Sequence, residues 1–218
     1  MFLVDLFFPN RCLHCSRIID GEDLVCNLCF ENIQFFHFNT SENNYLVERS
    51  NLLFPIENAF ALMEFQDKSL SREIVHQLKY KSREKVGKIL ADWTLERIDF
   101  TKISIDLLIS VPLHPRKLRE RGYNQLHLFT ESLAKNLKIE YDPKIIKRNF
   151  YKKSQTFKDK VHRAEGNNMF SLTKNLENKH VLLIDDVYTT GSTISHLAWE
   201  ILKNPSNKVS ILVMAVDI

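Results

Sequence analysis

The fold class is decided by the stretch VLLIDDVYTTGST, residues 181–193. Its first four residues, Val181 to Ile184, are apolar without a break, which is typical of a strand buried on both faces. Two acidic residues and a hydroxyl-rich turn around Gly191 follow, and apolar residues then recur at helical spacing from Ile194. A buried strand, a turn and an amphipathic helix in this order predict one unit of a parallel α/β sheet.

The rest of the chain alternates in the same way. Apolar runs predict strands over 59–65, 105–111, 179–184 and 209–216. Spacings of three and four residues predict helices over 71–80, 83–97, 126–137 and 194–202. We therefore expect an α/β domain over 51–218, with a mostly parallel sheet flanked by helices. The polar, Asn-rich segment 39–51 is predicted to be a linker, so that residues 1–50 form a separate N-terminal part.

The composition is that of an ordinary globular protein. Hydrophobic residues make up 44% of the 218 residues, charged residues 26%, and the formal net charge is only +3. This charge is too small to indicate nucleic-acid binding by itself. The apolar residues 1–8 lack a basic flank, which argues against a signal peptide and favours a short helix packed on the protein. No run approaches the roughly 18 apolar residues of a membrane span, so we expect a cytoplasmic protein.

All four cysteines lie close together, as two C-x-x-C pairs. Four thiolates that converge tetrahedrally suit Zn²⁺, and such a closed site is structural because it leaves no free coordination position. Disulfides would need an oxidising compartment, and a redox motif would need one pair beside a βαβ unit. An iron–sulfur cluster stays open as an alternative. The predicted zinc ligands of this small zinc-ribbon module are Cys12, Cys15, Cys26 and Cys29.

The chemistry of residues 185–193 suits a phosphorylated ribose. Asp185 and Asp186 stand at the end of the predicted strand, where carboxylates can accept hydrogen bonds from vicinal ribose hydroxyls. The following turn enters a helix whose free N–H groups favour a phosphate dianion, and Gly191 permits close approach of the backbone. A plain helix cap would explain one hydroxyl residue, but not two acids and four hydroxyls. The hydroxyl residues are Thr189, Thr190, Ser192 and Thr193.

The same loop resembles the signature of the type I phosphoribosyltransferases. The residues that carry the resemblance are Asp185, Asp186, Thr189, Thr190, Gly191, Ser192 and Thr193. The same residues, together with Val187, are predicted to bind the ligand. The resemblance implies that the ligand is 5-phosphoribosyl-1-pyrophosphate, bound with Mg²⁺.

Two further segments narrow the resemblance. These are VPLHPRKLRERGYNQ at 111–125 and HQLKYK at 76–81. Together with the four-cysteine module they resemble the ComF family, which is associated with DNA uptake in natural competence. The resemblance covers essentially the whole chain. It implies a competence context, with single-stranded DNA and the competence machinery as partners.

Two basic segments precede the predicted ligand loop in the chain. The loop after the 105–111 strand can hold pyrophosphate through Arg116, Arg119 or Arg121, although exposed arginines are often only solvated surface charges. Residues 144–163 carry eight basic residues against one acid, with aromatic residues between them. In type I phosphoribosyltransferases a lid falls there, but this composition also describes a groove for single-stranded nucleic acid, or a solvated basic hairpin.

Two functions follow from these features. The favoured hypothesis is a ComF-like protein that binds phosphoribosyl pyrophosphate and assists the handling of single-stranded DNA during uptake. The alternative is an active phosphoribosyltransferase with an unidentified acceptor, in which Asp185, Asp186 and Arg121 are the catalytic residues. Fold does not imply function, so catalysis stays an open hypothesis at this point.

Overall fold

A computed structural model of the chain describes residues 9–19, 21, 23–36, 44–66, 69–79, 85–149 and 169–217. The predicted N-terminal helix over 1–8 and residues 150–163 of the basic segment 144–163 lie outside these residues. Among the described residues, no helix combines the length and apolar character that a bilayer crossing requires.

The elements follow one another in chain order as helices and strands. The helices are α1 (Asn27–Phe30), α2 (Tyr45–Asn51), α3 (Leu70–Gln77), α4 (Lys85–Arg97), α5 (Pro115–Arg121), α6 (His127–Leu137) and α7 (Ser192–Leu202). The strands are β1 (Ala59–Glu64), β2 (Leu107–Ser110), β3 (Glu140–Tyr141), β4 (Ile146–Arg148), β5 (Phe170–Leu172), β6 (His180–Tyr188) and β7 (Lys208–Val216). A single 3₁₀ turn, Phe100–Lys102, lies between α4 and β2.

Within the described residues, five strands form a parallel sheet in the order β1-β7-β6-β2-β3. Consecutive residues of a strand point to opposite faces, and Val209 to Val216 of β7 are all buried, so both faces of the sheet are covered. Helices α4 and α6 pack on each other and on β1 and β2, while α7 packs on β6 and β7. The predicted α/β fold with a mostly parallel sheet and flanking helices is confirmed.

The strand order creates a crevice between β2 and β6. From β2 the chain passes through α5 and α6 to β3, at one edge of the sheet. From the neighbouring β6 it passes through α7 to β7, on the other side. The loops that follow two adjacent strands therefore diverge, and such a switch point at the carboxyl ends of parallel strands is where α/β sheets bind ligands.

The polar linker predicted over 39–51 contains a helix in its described part. Asn44 caps α2, because its side chain accepts a hydrogen bond from Val47 N at 2.9 Å. Leu46 and Ser50, four residues apart, are buried, and α2 packs against β1. The polar composition concealed this short amphipathic helix. The domain boundary near residue 50 stays a prediction.

The cysteine module is attached to the sheet through β1. Residues 34–36 run antiparallel to this edge strand, with Phe36 N donating to Leu62 O at 3.0 Å and Glu64 N donating to Gln34 O at 2.9 Å. The rings of Phe30 and Phe35 pack edge-on against Trp93 of α4, with centroids 5.1 and 5.6 Å away. The module thereby covers a strand edge that would otherwise be open to pairing.

Candidate functional site

Strand β6 is longer than the sequence predicted, and the extension carries the acidic pair. The prediction ended the strand at Ile184, but Asp185 pairs with Val213 and Tyr188 with Val216 of β7. On the other side of β6, pairing with β2 stops where Ser110 faces Ile184. Residues 185–188 therefore lie beyond the end of β2, and their edge toward that strand is open at the switch point.

The two carboxylates differ in their surroundings. Asp185 Oδ1 accepts a hydrogen bond from Asp186 N, and Asp186 Oδ1 accepts one from Val187 N, both at 2.9 Å. Burial raises the pKa of the Asp185 carboxyl well above its usual range, and the charge of Asp186 raises it further. The positive charge of Arg148, at the end of β4, acts in the opposite direction. A cation, or a hydrogen-bond donor such as a sugar hydroxyl, would stabilise the ionised form of the Asp185 carboxyl.

The predicted phosphate turn connects β6 to α7. Gly191 has φ +72°, a left-handed conformation that residues with a side chain rarely adopt. Helix α7 begins at Ser192, and its first hydrogen bond to the turn runs from Ser195 N to Gly191 O at 2.8 Å. The N–H groups before Ser195 therefore have no acceptor within the helix, although that of Ser192 donates to Thr190 Oγ1 at 3.4 Å. Asp185 and Val187 to Ile194 line one cleft, so Asp185 and the predicted phosphate residues share one surface, while Asp186 does not line it.

Helix α2 supports this turn from behind, which the sequence did not reveal. The guanidinium of Arg49 donates to the carbonyl oxygens of Thr189 and of Asp217, the latter at 2.6 Å, and lies 5.4 Å from the centre of the Tyr188 ring. Ser50 Oγ donates to the buried Tyr188 hydroxyl at 3.2 Å. The turn is therefore held by side chains of a segment that was expected to be a linker.

The basic loop after β2 contains a helix, α5, for which local sequence provides the reasons. Pro115 occupies its first turn, the His114 ring accepts a hydrogen bond from Arg116 N at 3.2 Å, and Gly122 ends it with φ +79°. No residue of α5 is buried, so the helix projects into solvent beside the crevice.

The segment after α5 connects the two sides of the crevice. Arg121 Nη1 donates to Gln125 Oε1 at 2.7 Å, and Gln125 Nε2 donates to Asp186 Oδ2 at 2.9 Å. The structure thus brings Asp185, Asp186 and Arg121, the three residues predicted to be catalytic, into one connected group. Gln125 itself was missed, although its position directly after a Gly-Tyr-Asn turn that follows a basic helix was a usable signal.

The other predicted arginines are placed differently. Arg116 forms an ion pair with Glu120, with 2.9 Å between Nε and Oε1, and both side chains are well exposed. Arg119 is exposed too. Of the basic segment 144–163, the described part includes β4, which pairs antiparallel with β5 and ends at Arg148, whose guanidinium lies 5.5 Å from the centre of the Phe170 ring. The lid and nucleic-acid readings of residues 150–163 concern residues outside the described part and stay predictions.

The four cysteines form one compact cluster. The Sγ atoms of Cys12, Cys15, Cys26 and Cys29 all lie within 4.8 Å of one another. The Sγ atoms of Cys15 and Cys26 are 3.7 Å apart, which matches the about 3.8 Å between sulfurs of a tetrahedron with 2.3 Å zinc–sulfur bonds. The four thiols therefore converge on one point, as the two C-x-x-C pairs predicted, and the donor set fits Zn²⁺.

Backbone N–H groups around the cluster stabilise the thiolate form of Cys12. Burial opposes ionisation of Cys12, but hydrogen bonds from the backbone at Cys15, Cys26 and His14 lower the pKa of its thiol to about 6. Burial raises the pKa of the Cys29 thiol to about 12, and contacts with the neighbouring sulfurs contribute. Four sulfurs around a common point cannot all be ionised without a cation between them, because their negative charges repel. A bound Zn²⁺ would remove this conflict.

Two protein families match separate parts of the chain. The double zinc ribbon domain family matches residues 3–40, and the phosphoribosyl transferase domain family matches residues 127–217. The first match contains all four cysteines and supports a structural Zn²⁺. The second contains β6, the phosphate turn, α7 and β7.

Three curated relatives are similar in sequence to this chain, each over a different share of its length. The DNA utilization protein YhgH of Escherichia coli O157:H7 is 30% identical over 63% of this chain and 63% of its own length, so the chain spans less than two thirds of that relative. Competence protein F of Haemophilus influenzae is 27% identical over 88% of this chain and 90% of its own. Competence protein ComFC of Bacillus subtilis is 34% identical over 51% and 45%, respectively.

The Haemophilus relative aligns with both parts of the chain, and the two family matches fall on the cysteine cluster and on the ligand turn. A four-cysteine zinc ribbon joined to a phosphoribosyltransferase-like domain is the combination that the sequence motifs had indicated. Together the matches support a ComF family protein, and its reported relatives are named as competence or DNA utilization proteins.

Proposed function

We propose that this protein binds 5-phosphoribosyl-1-pyrophosphate at the switch point between β2 and β6 and assists the handling of single-stranded DNA during DNA uptake. The observation that carries the first half is the shared cleft of Asp185 and residues 187–194. It combines the Asp185 carboxyl, an acceptor for a ribose hydroxyl, with a left-handed glycine and the N-terminal end of a helix, and Asp186 lies next to it in the chain.

The ligand would lie across the two loops of the switch point. Its 5-phosphate would contact the turn from Thr189 to Thr193, and its ribose hydroxyls would donate to Asp185 and Asp186. Arg121, held beside Asp186 by Gln125, is the cation placed for the pyrophosphate group at C1. Gln125 links Arg121 to Asp186, and Asp186 N donates to Asp185, which lines the cleft of the phosphate turn.

The donor set fits Mg²⁺ as the accompanying ion. Carboxylate and phosphate oxygens are the hard ligands that this cation prefers, and Asp185 and Asp186 would hold it together with the bound ligand. When bound, it would neutralise charge on the pyrophosphate. Its arrival would also relieve the repulsion that raises the pKa of Asp185.

Titration calorimetry tests the ligand assignment. Wild type should bind phosphoribosyl pyrophosphate in the presence of Mg²⁺, and Asp185→Asn and Asp186→Asn should each weaken binding by about 10–100-fold, the loss of a charge-assisted hydrogen bond. Asp92→Asn, an exposed carboxylate on α4, is the matched control and should bind as wild type does. Unchanged binding by both site variants would refute the assignment.

The role in DNA handling is supported by the relatives and by charge. The relatives are named for DNA utilization and for competence. Residues 144–163 concentrate basic and aromatic side chains, which suits a single strand whose bases stack while its phosphates pair with cations. This half of the proposal depends on the sequence of that segment.

Oligonucleotide binding tests this half. Affinity for a labelled single strand should fall steeply with salt, and replacing Lys152 and Lys153 by Gln should lower both the affinity and the salt dependence. Lys88 and Lys135, exposed lysines on α4 and α6, provide the matched double substitution. Equal effects of the two double variants would show that the basic segment has no special part in DNA binding.

The alternative, an active phosphoribosyltransferase, is separated by product analysis. Transfer would release pyrophosphate from phosphoribosyl pyrophosphate only when an acceptor is present. A panel of amines and nucleobases that releases none would leave the binding function as the one supported.

A further inference from the structure

Gln125 is a buried polar side chain that joins two loops of the crevice. Only 7% of its surface is exposed. Its Oε1 accepts from Arg121 Nη1 at 2.7 Å, and its Nε2 donates to Asp186 Oδ2 at 2.9 Å. A buried amide that satisfies both ends with charged partners is a specific arrangement, because leaving either partner unpaired would be costly.

The chemistry of the three groups permits one orientation of the amide. A guanidinium can only donate and an ionised carboxylate can only accept. The amide must therefore present its oxygen to Arg121 and its nitrogen to Asp186. Among uncharged side chains, a glutamine supplies both functions and the length to span them.

The backbone that carries Gln125 is anchored on both sides. Tyr123 Oη donates to Leu78 O at 2.7 Å, at the end of α3. Asn124 Nδ2 donates to Val111 O at 3.2 Å, and Asn124 Oδ1 accepts from Leu126 N at 3.1 Å. The position of the amide is thereby set by the loop, and the amide in turn sets the position of the half-buried Arg121 side chain.

This placement corresponds to the order of atoms in the sugar. If Asp186 accepts from a ribose hydroxyl, as the proposed function states, the substituent at C1 lies on the adjacent carbon or the next one. Arg121 is separated from Asp186 by a single side-chain amide, and so stands beside that substituent.

We propose that Gln125 is a positioning residue that aims Arg121 at the C1 substituent, and that it thereby makes the site prefer a 1-pyrophosphorylated ribose 5-phosphate over ribose 5-phosphate itself. The inference rests on the proposed function and adds a determinant of ligand choice to it. Gln125 need not touch the pyrophosphate, because it acts through Arg121.

The test measures the ratio of two affinities, which a general loss of structure would not change selectively. Phosphoribosyl pyrophosphate and ribose 5-phosphate are titrated, both with Mg²⁺, into wild type, Gln125→Met, Arg121→Gln and the double variant. Each single substitution should lower affinity for phosphoribosyl pyrophosphate by about 10-fold or more and leave ribose 5-phosphate within about 2–3-fold of wild type. The double variant should be no weaker than the weaker single one, since both remove the same interaction.

A second variant protects the test against poor folding of Gln125→Met. Gln125→Asn keeps a buried amide but is one methylene too short to reach both partners. It should lose the same preference for phosphoribosyl pyrophosphate, but its melting temperature should stay closer to that of wild type than the melting temperature of Gln125→Met does.

The outcomes are distinct. Equal loss of both ligands in Gln125→Met and Gln125→Asn, or additive effects of the two substitutions in the double variant, would overturn the role of Gln125 and leave the proposed function standing. Failure of wild type to bind either ligand would overturn the proposed function and this inference with it.

Discussion

The Tyr188 hydroxyl lies directly against Gly191, so closely that a methyl group added at residue 191 would be 2.4 Å from the hydroxyl oxygen. Strand β6 therefore ends on a buried aromatic residue that supports the glycine of the phosphate turn. The same methyl group would also lie 2.8 Å from Leu53 Cδ1, just after α2. Only a residue without a side chain fits between Tyr188 and Leu53, which explains why the turn contacts the end of β6 through a glycine.

We expect Gly191→Ala to displace the phosphate turn. The left-handed φ alone costs about 1–2 kcal/mol, and the contact with Tyr188 requires a further shift of the backbone. Affinity for ribose 5-phosphate should fall more than about 10-fold, because the N–H groups of the turn would no longer converge. Calorimetric titration and urea unfolding measure the two effects.

Gly21→Ala is a matched control for that substitution. Gly21 has the same φ of +72°, but nothing lies within 4 Å of an added methyl group. It should lose stability through its conformation alone and keep wild-type ligand affinity. Wild-type binding by Gly191→Ala would contradict the role that we assign to the turn.

Arg49 should stabilise the phosphate turn without touching the ligand. Replacing it by Gln removes the hydrogen bonds to the Thr189 and Asp217 carbonyls and the contact with the Tyr188 ring. We expect unfolding to become easier by about 1–3 kcal/mol and ribose 5-phosphate to bind more weakly. Hydrogen exchange of the turn amides should accelerate in the variant. Arg17→Gln, in the cysteine module, should change neither property.

The acidic pair predicts an unusual dependence of stability on pH. The folded protein holds a proton on Asp185 at pH values where an exposed Asp, with a pKa of about 3.9, has lost it. Folding stability contributed by this group should therefore fall as pH rises from about 4 through the raised pKa, and stay constant above it. Asp185→Asn removes this loss, so the variant should gain stability over wild type as pH increases.

Urea unfolding of wild type and Asp185→Asn at a series of pH values measures this difference. Asp92→Asn is again the control, and its difference from wild type should not follow the same curve. Ligand affinity should show the opposite trend in wild type, rising over the same pH window as the carboxylate forms. A stability difference that does not change with pH would show that the Asp185 carboxyl is not perturbed.

Removal of zinc should loosen the module from the sheet. Trp93 packs against Phe30 and Phe35 of the module, whereas Trp199, the second of the two tryptophans, is half-exposed. In a Trp199→Phe background, a strong zinc chelator or Cys29→Ser should shift Trp93 fluorescence to longer wavelength and lower the melting temperature. In a Trp93→Phe background, the emission of Trp199 should stay unchanged.

Elemental analysis of the same samples identifies the metal. We expect one zinc per chain in wild type and none in Cys29→Ser. Iron together with visible absorbance would favour the iron–sulfur alternative instead.

Local chemistry explains why much of the site could be predicted from sequence. The apolar run at Val181–Ile184 is typical of a strand buried on both faces, and the residues after it carry the groups that a sugar phosphate requires. The two C-x-x-C pairs likewise predict their own convergence, because metal ligands three positions apart on a turn face the same point. These features depend on neighbours in the chain.

Contacts between distant segments were not predictable in this way. Arg49 reaches the carbonyl of Thr189 across 140 positions of sequence, and Gln125 reaches Asp186 across 61. The sequence around Arg49 or Gln125 does not indicate the hydrogen-bond partner, because that partner depends on which loops the sheet brings together. The end of β6 was also misjudged, because Asp185 and Asp186 have low strand propensity and pair only because β7 continues beside them.

The chain's local sequence thus defines the ligand turn, the metal cluster and the parallel α/β class, each through residues close to one another. The strand order β1-β7-β6-β2-β3, established by packing over the whole domain, places the loop after β2 beside the acidic pair. That placement adds Arg121 and the amide of Gln125 to the carboxylates of Asp185 and Asp186 beside the phosphate turn. The physical reason is that burial and polar pairing are satisfied jointly, by segments that meet only in the folded protein.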